Sequence, residues 1–408
     1  MENIFPLILL FILILNTIQA TNYIPTDTIL LDCGSFDLQA TDSNGRKWRS
    51  DSNSKFLLSS KRSFKANAGT QSRNISTIPY ISARVFQSNL TYSFPVSSGR
   101  KFLRIHFYPN TYSRWNSSNA IFSVTAGSYT LLRNYNPLKN AEDLGVNYVV
   151  KEYSIYVENG ELIVTFIASE KAFGYVNGIE VVSMPSMYGD DNIDGVSIVG
   201  AATSFLIDNS TVLESLYRLN VGGTYVSPAN DTGLFRSWYD DTPYISSIQI
   251  GSPNTIDPDV NITFPKSLPS YTAPINMYST ARFMTPNNNL NLKFNLTWSL
   301  PIHSGFAYLV RLHFCQILSY INKVNQIVFD VYINNQTAVS EVDVIALAQS
   351  NGIPYVMDFV VILPVNEDND EQDLWVALHP NIRNKPQYYN GFLNGLEILK
   401  INNTDGTL

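Results

Sequence analysis

Two stretches decide the fold, SGRKFLRIHF at residues 98–107 and SGFAYLVRLHF at residues 304–314. In the first, Leu103, Ile105 and Phe107 alternate with Arg104 and His106. In the second, Val310, Leu312 and Phe314 alternate with Arg311 and His313. Period-two alternation of this kind describes a β-strand with one face on a core. Working outward, the same order of features surrounds both strands. Ala83-Arg84, IFSV at 121–124 and VNGIEVV at 176–182 flank the first. Ala281-Arg282, VFDVYIN at 328–334 and LNGLEIL at 393–399 flank the second. The entries match as well: Asp32-Cys33-Gly34 with RKWRSD at 46–51, against Asn220-Val221-Gly222 with FRSWYDD at 235–241. The spacing between equivalent features grows slowly along the chain. A repeat of about 200 residues is a duplicated domain with loop insertions in the second copy, not a solenoid.

Other runs also read as strands: YSIYVE at 153–158, ELIVTFI at 161–167 and DLWVALH at 373–379. The turn Glu158-Asn159-Gly160-Glu161 predicts a hairpin between the first two. No clean helical stripe is present. Many short strands with Gly, Pro and Asn turns predict an all-β chain of two tandem β-sandwich domains with few short helices. The expected boundaries are a first domain over 21–187, a linker or tether over 188–215 and a second domain over 216–402. The connection around 183–217 reads as a short tether strand plus one helical turn. The repeated Asn177-Gly178-x-Glu180 and Asn394-Gly395-x-Glu397 read as turns entering the last core strand, with Gly supplying an unusual backbone shape.

The chain has 408 residues, 45% of them hydrophobic, so each domain can bury a core. Only 15% are charged and the formal net charge is -7. Without a Lys/Arg stripe, nucleic acid is not an expected partner. The apolar run at 4–15, followed by Ala20, predicts a signal peptide over residues 1–20 and therefore export. Sequons at Asn74, Asn89, Asn116, Asn209, Asn230, Asn261, Asn295, Asn335 and Asn402 agree with export. The two cysteines, Cys33 and Cys315, lie in different copies, opposite Val221 and Tyr108. Both are expected to be buried free thiols, with no disulfide.

Catalytic chemistry is not expected. Asp190-Asp191, Asp240-Asp241 and the run Glu367–Asp373 lack the opposed pair of carboxyls that glycoside hydrolysis needs. His106 and His313 occupy equivalent strand positions, which points to a structural role. No His/Cys cluster has metal spacing, so no metal and no cofactor are expected.

ARVFQSNLTYSFPVSSGRKFLRIHFYPN, YVNGIEVVSMP, LYRLNVGG, DTGLFRSWYDDTPYI and YLVRLHFC together resemble the ectodomains of the malectin-like receptor kinases of plants, most of all the FERONIA group. The resemblance implies two tandem malectin-like β-sandwiches of jelly-roll type, with residues 403–408 starting a juxtamembrane tail. The kinase motifs of such receptors are absent from this chain, so the expectation is a non-enzyme. The implied partners are a secreted basic cysteine-rich peptide of the alkalinization type, a GPI-anchored co-receptor and the wall polymer pectin, at the outer face of the plasma membrane. For an acidic polymer, Arg100, Lys101 and Arg104 form the best local basic cluster. For sugar stacking, the ring-rich stretch Tyr108, Tyr112 and Trp115 is the candidate. The resemblance aligns one pair of the aromatics that hold a glucose disaccharide in animal malectin with Thr111-Tyr112 in the first domain and Leu318-Ser319 in the second, and of these only Tyr112 is aromatic.

Overall fold

In the computed structural model, residues 22–408 are described apart from 53, 60, 190, 191, 247, 248 and 367–369. The expected leader at 1–20, Asp190-Asp191 and the start of the Glu367–Asp373 run lie outside the described residues.

The first diagnostic strand runs Gly99–Phe107 and pairs antiparallel with Val149–Val157 on one side and Gly178–Ser183 on the other. Thr28–Asp32 follows Gly178–Ser183. Its counterpart, Ala307–Phe314, lies between Tyr355–Ile362 and Gly395–Ile401, with Leu213–Asn220 next to the latter. The two halves are joined directly. Val149–Val157 pairs antiparallel with Leu213–Asn220 through Glu152↔Ser215, Tyr153↔Glu214 and Ser154↔Leu213. A single 11-stranded sheet therefore runs through both domains.

Each half packs its apolar face on a second sheet. In the first domain, Leu103, Ile105 and Phe107 meet Tyr92, Phe122 and Phe166 of a 5-stranded sheet. In the second, Val310, Leu312 and Phe314 meet Trp298, Phe329 and Val376 of a 4-stranded sheet. A third apolar cluster, including Phe102, Leu309, Val360 and Leu399, lies at the junction under Met184, Tyr188, Val196 and Ile207.

That cluster corrects the tether. Residues after 184 form a small hairpin, Val196–Ser197 with Ser204–Phe205, and Ile198 bridges to Val360. The second domain's sheet begins at Leu213, inside the span expected to be linker, and no helical turn occurs among the described residues of 188–217. Met184, Tyr188, Val196 and Ile207 of this connection cover the shared sheet, so their burial holds its conformation.

The Asn159-Gly160 turn is present, with Gly160 at φ 72°. It is not a hairpin, because Val149–Val157 and Glu161–Ala168 belong to different sheets. Both edges of Val149–Val157 are already occupied, so the chain turns a corner into the opposite layer. Gly178 and Gly395 are also corrected: both begin strands without positive φ. A Cβ on Gly178 would stand 2.7 Å from Pro79, and one on Gly395 2.5 Å from the Met277 sulfur. Close approach, not backbone shape, requires glycine there.

The copies superimpose in their hydrogen bonds. Asn177 and Asn394 each accept from a backbone N–H through Oδ1, that of Tyr108 and that of Cys315, both at 2.7 Å. Their carbonyls accept from Cys33 and Val221 at 2.8 Å. Cys33 and Cys315 are buried free thiols.

Candidate functional site

The residues singled out for ligand contact are mostly inside. Arg100, Lys101 and Arg104 are buried. Arg100 donates to the carbonyls of Asp208 and Thr211, Lys101 pairs with Asp27, and Arg104 joins an ion network. A guanidinium surrounded by its own acceptors is not a basic patch. Tyr108 and Tyr112 are buried too. The Tyr112 hydroxyl donates to the Tyr108 carbonyl at 2.7 Å and accepts from Asn177 at 2.7 Å. A ring buried with its hydroxyl satisfied contributes to packing and cannot stack on a sugar. Trp115 remains half-exposed, resting on Phe173 at 5.0 Å. Eight of the sequon asparagines are exposed; Asn402 is half-buried and its Oδ1 accepts from the Val212 N–H at 2.7 Å.

What the structure brings together is the polar face of the shared sheet. In the first domain, His106 lies between the Tyr80 hydroxyl, 2.9 Å from Nδ1, and Glu180, 2.9 Å from Nε2. In the second, His313 lies between Tyr278 at 2.9 Å and Glu397 at 3.1 Å. Arg46 Nη1 reaches Glu180 at 2.9 Å, and Arg104 bridges Glu180 and Glu152. Arg218 crosses the junction, pairing with Glu152 at 2.8 Å and Glu397 at 2.9 Å. Arg311 forms a two-pronged bond to Asp358, 2.8 and 2.6 Å.

These partners set the charges. Burial alone would raise Glu180, but Arg46, the His106 hydrogen bond and Arg104 hold it well below the usual carboxylate range. Burial opposes Glu397 and Glu152 likewise, and is outweighed by Arg218 in both, with His313 aiding the former and Arg104 the latter. For His106 and His313, burial dominates and lowers the pKa despite the adjacent glutamates. Burial thus favours the neutral imidazole, and in that form Nε2–H donates to the glutamate while Nδ1 accepts from the tyrosine.

Over this floor opens a cleft of about 330 Å³, lined from both domains. Tyr225 and Tyr239, 49% and 47% exposed, stand at its second-domain wall with ring centroids 5.4 Å apart. Sequence reasoning missed this wall. Tyr239 lies within the FRSWYDD segment, but only the sheet continuity shows that it faces the first domain. The cleft's lining joins charged side chains of the floor to aromatic rings of the wall. Its arginines are paired, and no group of three or more metal-ligating side chains occurs among the described residues. Asp241 is buried beneath Arg282 and Trp298, where it holds structure.

Two β-sandwiches fused through one sheet, with a paired-ion floor and an aromatic wall at the junction, define a tandem β-sandwich module. The chain belongs to the malectin-like domain family, whose model matches residues 31–401. It is 52% identical over 407 residues to the receptor-like protein kinase FERONIA of Arabidopsis thaliana, covering 98% of this chain and 45% of that protein. It is 36% identical over 383 residues to ANXUR1 of the same plant, covering 91% of this chain and 43% of that protein. The chain thus spans about half the length of these relatives. Among solved structures, it matches the plant receptor-like kinase FER at TM-score 0.87 and 50% identity, covering 94% of this chain and 98% of that one. A complex of the plant peptide RALF23 with FER and LLG2 matches at TM-score 0.86 and 50% identity, covering 95% and 98%. The ANX1 ectodomain of Arabidopsis thaliana matches at 0.86 and 36%, covering 93% and 97%. No helix among the described residues is long and apolar enough to cross a membrane.

Proposed function

We propose that this chain is the extracellular ligand-binding region of a receptor-like kinase, and that it takes a secreted basic cysteine-rich peptide together with a GPI-anchored co-receptor. The observation that carries this reading is its likeness, at 50% identity and TM-score 0.86, to the structure in which a plant peptide is held with FER and LLG2. The net charge of -7 complements a basic ligand. The continuous sheet supports it further, because a rigid platform reduces the ordering cost of binding. In this reading the chain itself is not an enzyme, and it works in the apoplast at the plasma membrane. Tyr225 and Tyr239 are the proposed peptide-facing anchors, as large exposed rings beside a cleft. The pectin alternative draws nothing from Arg100, Lys101, Arg104, Tyr108 or Tyr112, all of which are buried.

Calorimetric titration of the secreted protein with a synthetic alkalinization-type peptide, with and without the co-receptor, tests the reading. Saturable binding strengthened by the co-receptor is expected, weakened about tenfold or more by Tyr225→Ala with Tyr239→Ala. Absence of saturable binding under both conditions overturns it.

A further inference from the structure

We propose that the N-linked glycan of Asn295 lies along the outer face of the second domain's 4-stranded sheet and covers Trp375. The strand Glu371–Pro380 sends Leu374, Val376 and Leu378 into the core, while Trp375 faces outward and is 45% exposed. Pairing places Thr297 and Tyr332 against Ala377, and Ser299 against Trp375. Small side chains thus floor a trough walled by Tyr332 and Trp375. Asn295 and Asn335 also line this trough, whose volume is about 360 Å³. That is at the small end of the ~300–1,000 Å³ typical of sites for small molecules.

Asn295 opens the sequon Asn295-Leu296-Thr297 and lies just before the strand Leu296–His303, exposed. Trp375 is opposite Ser299, four residues further along. At the rise of a strand this is about 13 Å, which the first two or three sugars of an N-linked core can span. The faces of pyranose rings carry C–H groups that pack on an indole, so the glycan would remove a large apolar surface from water.

The duplication supports Asn295 over Asn335. In the first domain, Asn89 likewise opens a sequon, Asn89-Leu90-Thr91, and lies just before the equivalent strand Leu90–Pro95. Ser93 there pairs with Ile163, another outward apolar residue, 41% exposed. Sequon and exposed apolar side chain therefore recur at one register in both copies. Asn335 has no such counterpart, since the matching turn, between Phe122–Ala126 and Tyr129–Tyr135, is Gly127-Ser128.

The test uses protein secreted from eukaryotic cells. Glycan occupancy is mapped by peptide mass spectrometry, and tryptophan exposure is read by acrylamide quenching. Trp48, Trp238 and Trp298 are fully buried, so the quenchable signal comes from Trp375 and from half-exposed Trp115, which adjoins the sequon Asn116 and whose share is read from Trp375→Phe. Asn295 is expected to be occupied. Enzymatic removal of the glycans from the folded protein should raise the quenching constant about twofold, as a covered ring becomes exposed. Asn295→Gln should reproduce the rise, Asn335→Gln should not, and Trp375→Phe should abolish it. Where Asn295→Gln is not secreted, Thr297→Ala removes the same sequon and takes its place. An unoccupied Asn295, unchanged quenching after glycan removal, or a rise that follows Asn335→Gln overturns the proposal.

Discussion

Glu152 of the first domain and Arg218 of the second form a buried ion pair, Oε1 to Nη2 at 2.8 Å, where the shared sheet passes between domains. Arg104 takes the other side of Glu152, and Glu397 the other side of Arg218. The result is an alternating chain Arg104–Glu152–Arg218–Glu397 inside the protein. Tandem domains usually move relative to each other. Here backbone pairing and buried charge alternation both oppose that motion.

Removing the middle of this chain should be costly. Arg218→Ala would leave Glu152 and Glu397 buried with part of their compensation gone, a loss of about 3–5 kcal/mol. Because the break falls at the junction, urea unfolding should change from one transition to two as the domains uncouple. A variant that unfolds in one transition at the parent midpoint would show that the pair does not couple the domains.

Acid should weaken the fold through the same network. The folded-state pKa values of His106 and His313 are lowered, so the unfolded chain binds protons first and stability declines as pH falls below about 6.5. Glu180, Glu397 and Glu152 are lowered as well. Their stabilisation is complete above the unfolded value of about 4.3 and is lost as pH falls through the folded values. Melting temperatures measured from pH 7 down to 3 should decline, most steeply below about 4.3. A flat profile over that range would contradict the assignment.

One group works in the opposite direction. Asp32 is pushed up to about 7, mainly by burial, with the Ser82 hydrogen bond offsetting part of the rise. Its unfolded value is about 3.9, so it costs stability progressively as pH rises from about 4 to 7. The second copy holds the neutral counterpart Asn220, whose Oδ1 accepts from Thr280 at 2.8 Å, as Asp32 Oδ1 accepts from Ser82 at 2.6 Å. Asp32→Asn should therefore stabilise the protein at pH 7 by on the order of 1–3 kcal/mol and leave it unchanged near pH 4. Urea midpoints at the two pH values check this, and equal shifts at both would refute it.

The apolar half of this architecture was legible in the sequence, because Leu103, Ile105 and Phe107 repeat with the strand period and Val310, Leu312 and Phe314 repeat them. The polar half was not. Period two says that Arg104 and His106 share a face, but not that Glu152 and Glu180 lie beside them, since strand order sets those pairings. Tyr108 and Tyr112 were misleading for a related reason. Tyrosine is amphipathic, and in a loop its ring can be a contact surface or a core plug depending on whether a buried partner awaits the hydroxyl. Asn177 and the Tyr108 carbonyl are those partners for Tyr112. The outward Trp375 gave no signal, because one exposed ring in an alternating strand looks like any core residue until the register is known.

Two glycines offer a last test of the duplication. Gly34 and Gly222 have φ of 73° and 70°, in the left-handed region. A Cβ would lie 2.0 Å from the Ala83 carbonyl oxygen in the first case and 2.4 Å from that of Ala281 in the second. Each glycine N–H also donates to an aspartate, Asp51 or Asp241, at 2.9 Å. Those carboxylates hold Arg84 and Arg282 in two-pronged ion pairs. A methyl group would thus have to move backbone and disturb a buried ion pair together. Gly45 is the control: its φ is 77°, but nothing lies within 4 Å of its added Cβ. Gly45→Ala should cost only the backbone strain of about 1–2 kcal/mol. Gly34→Ala and Gly222→Ala should each exceed about 3 kcal/mol, with lower secreted yield, because strain and clash add. If all three substitutions cost the same in denaturant titration, the close contacts beneath the two equivalent turns of the repeat are not what fixes them as glycine.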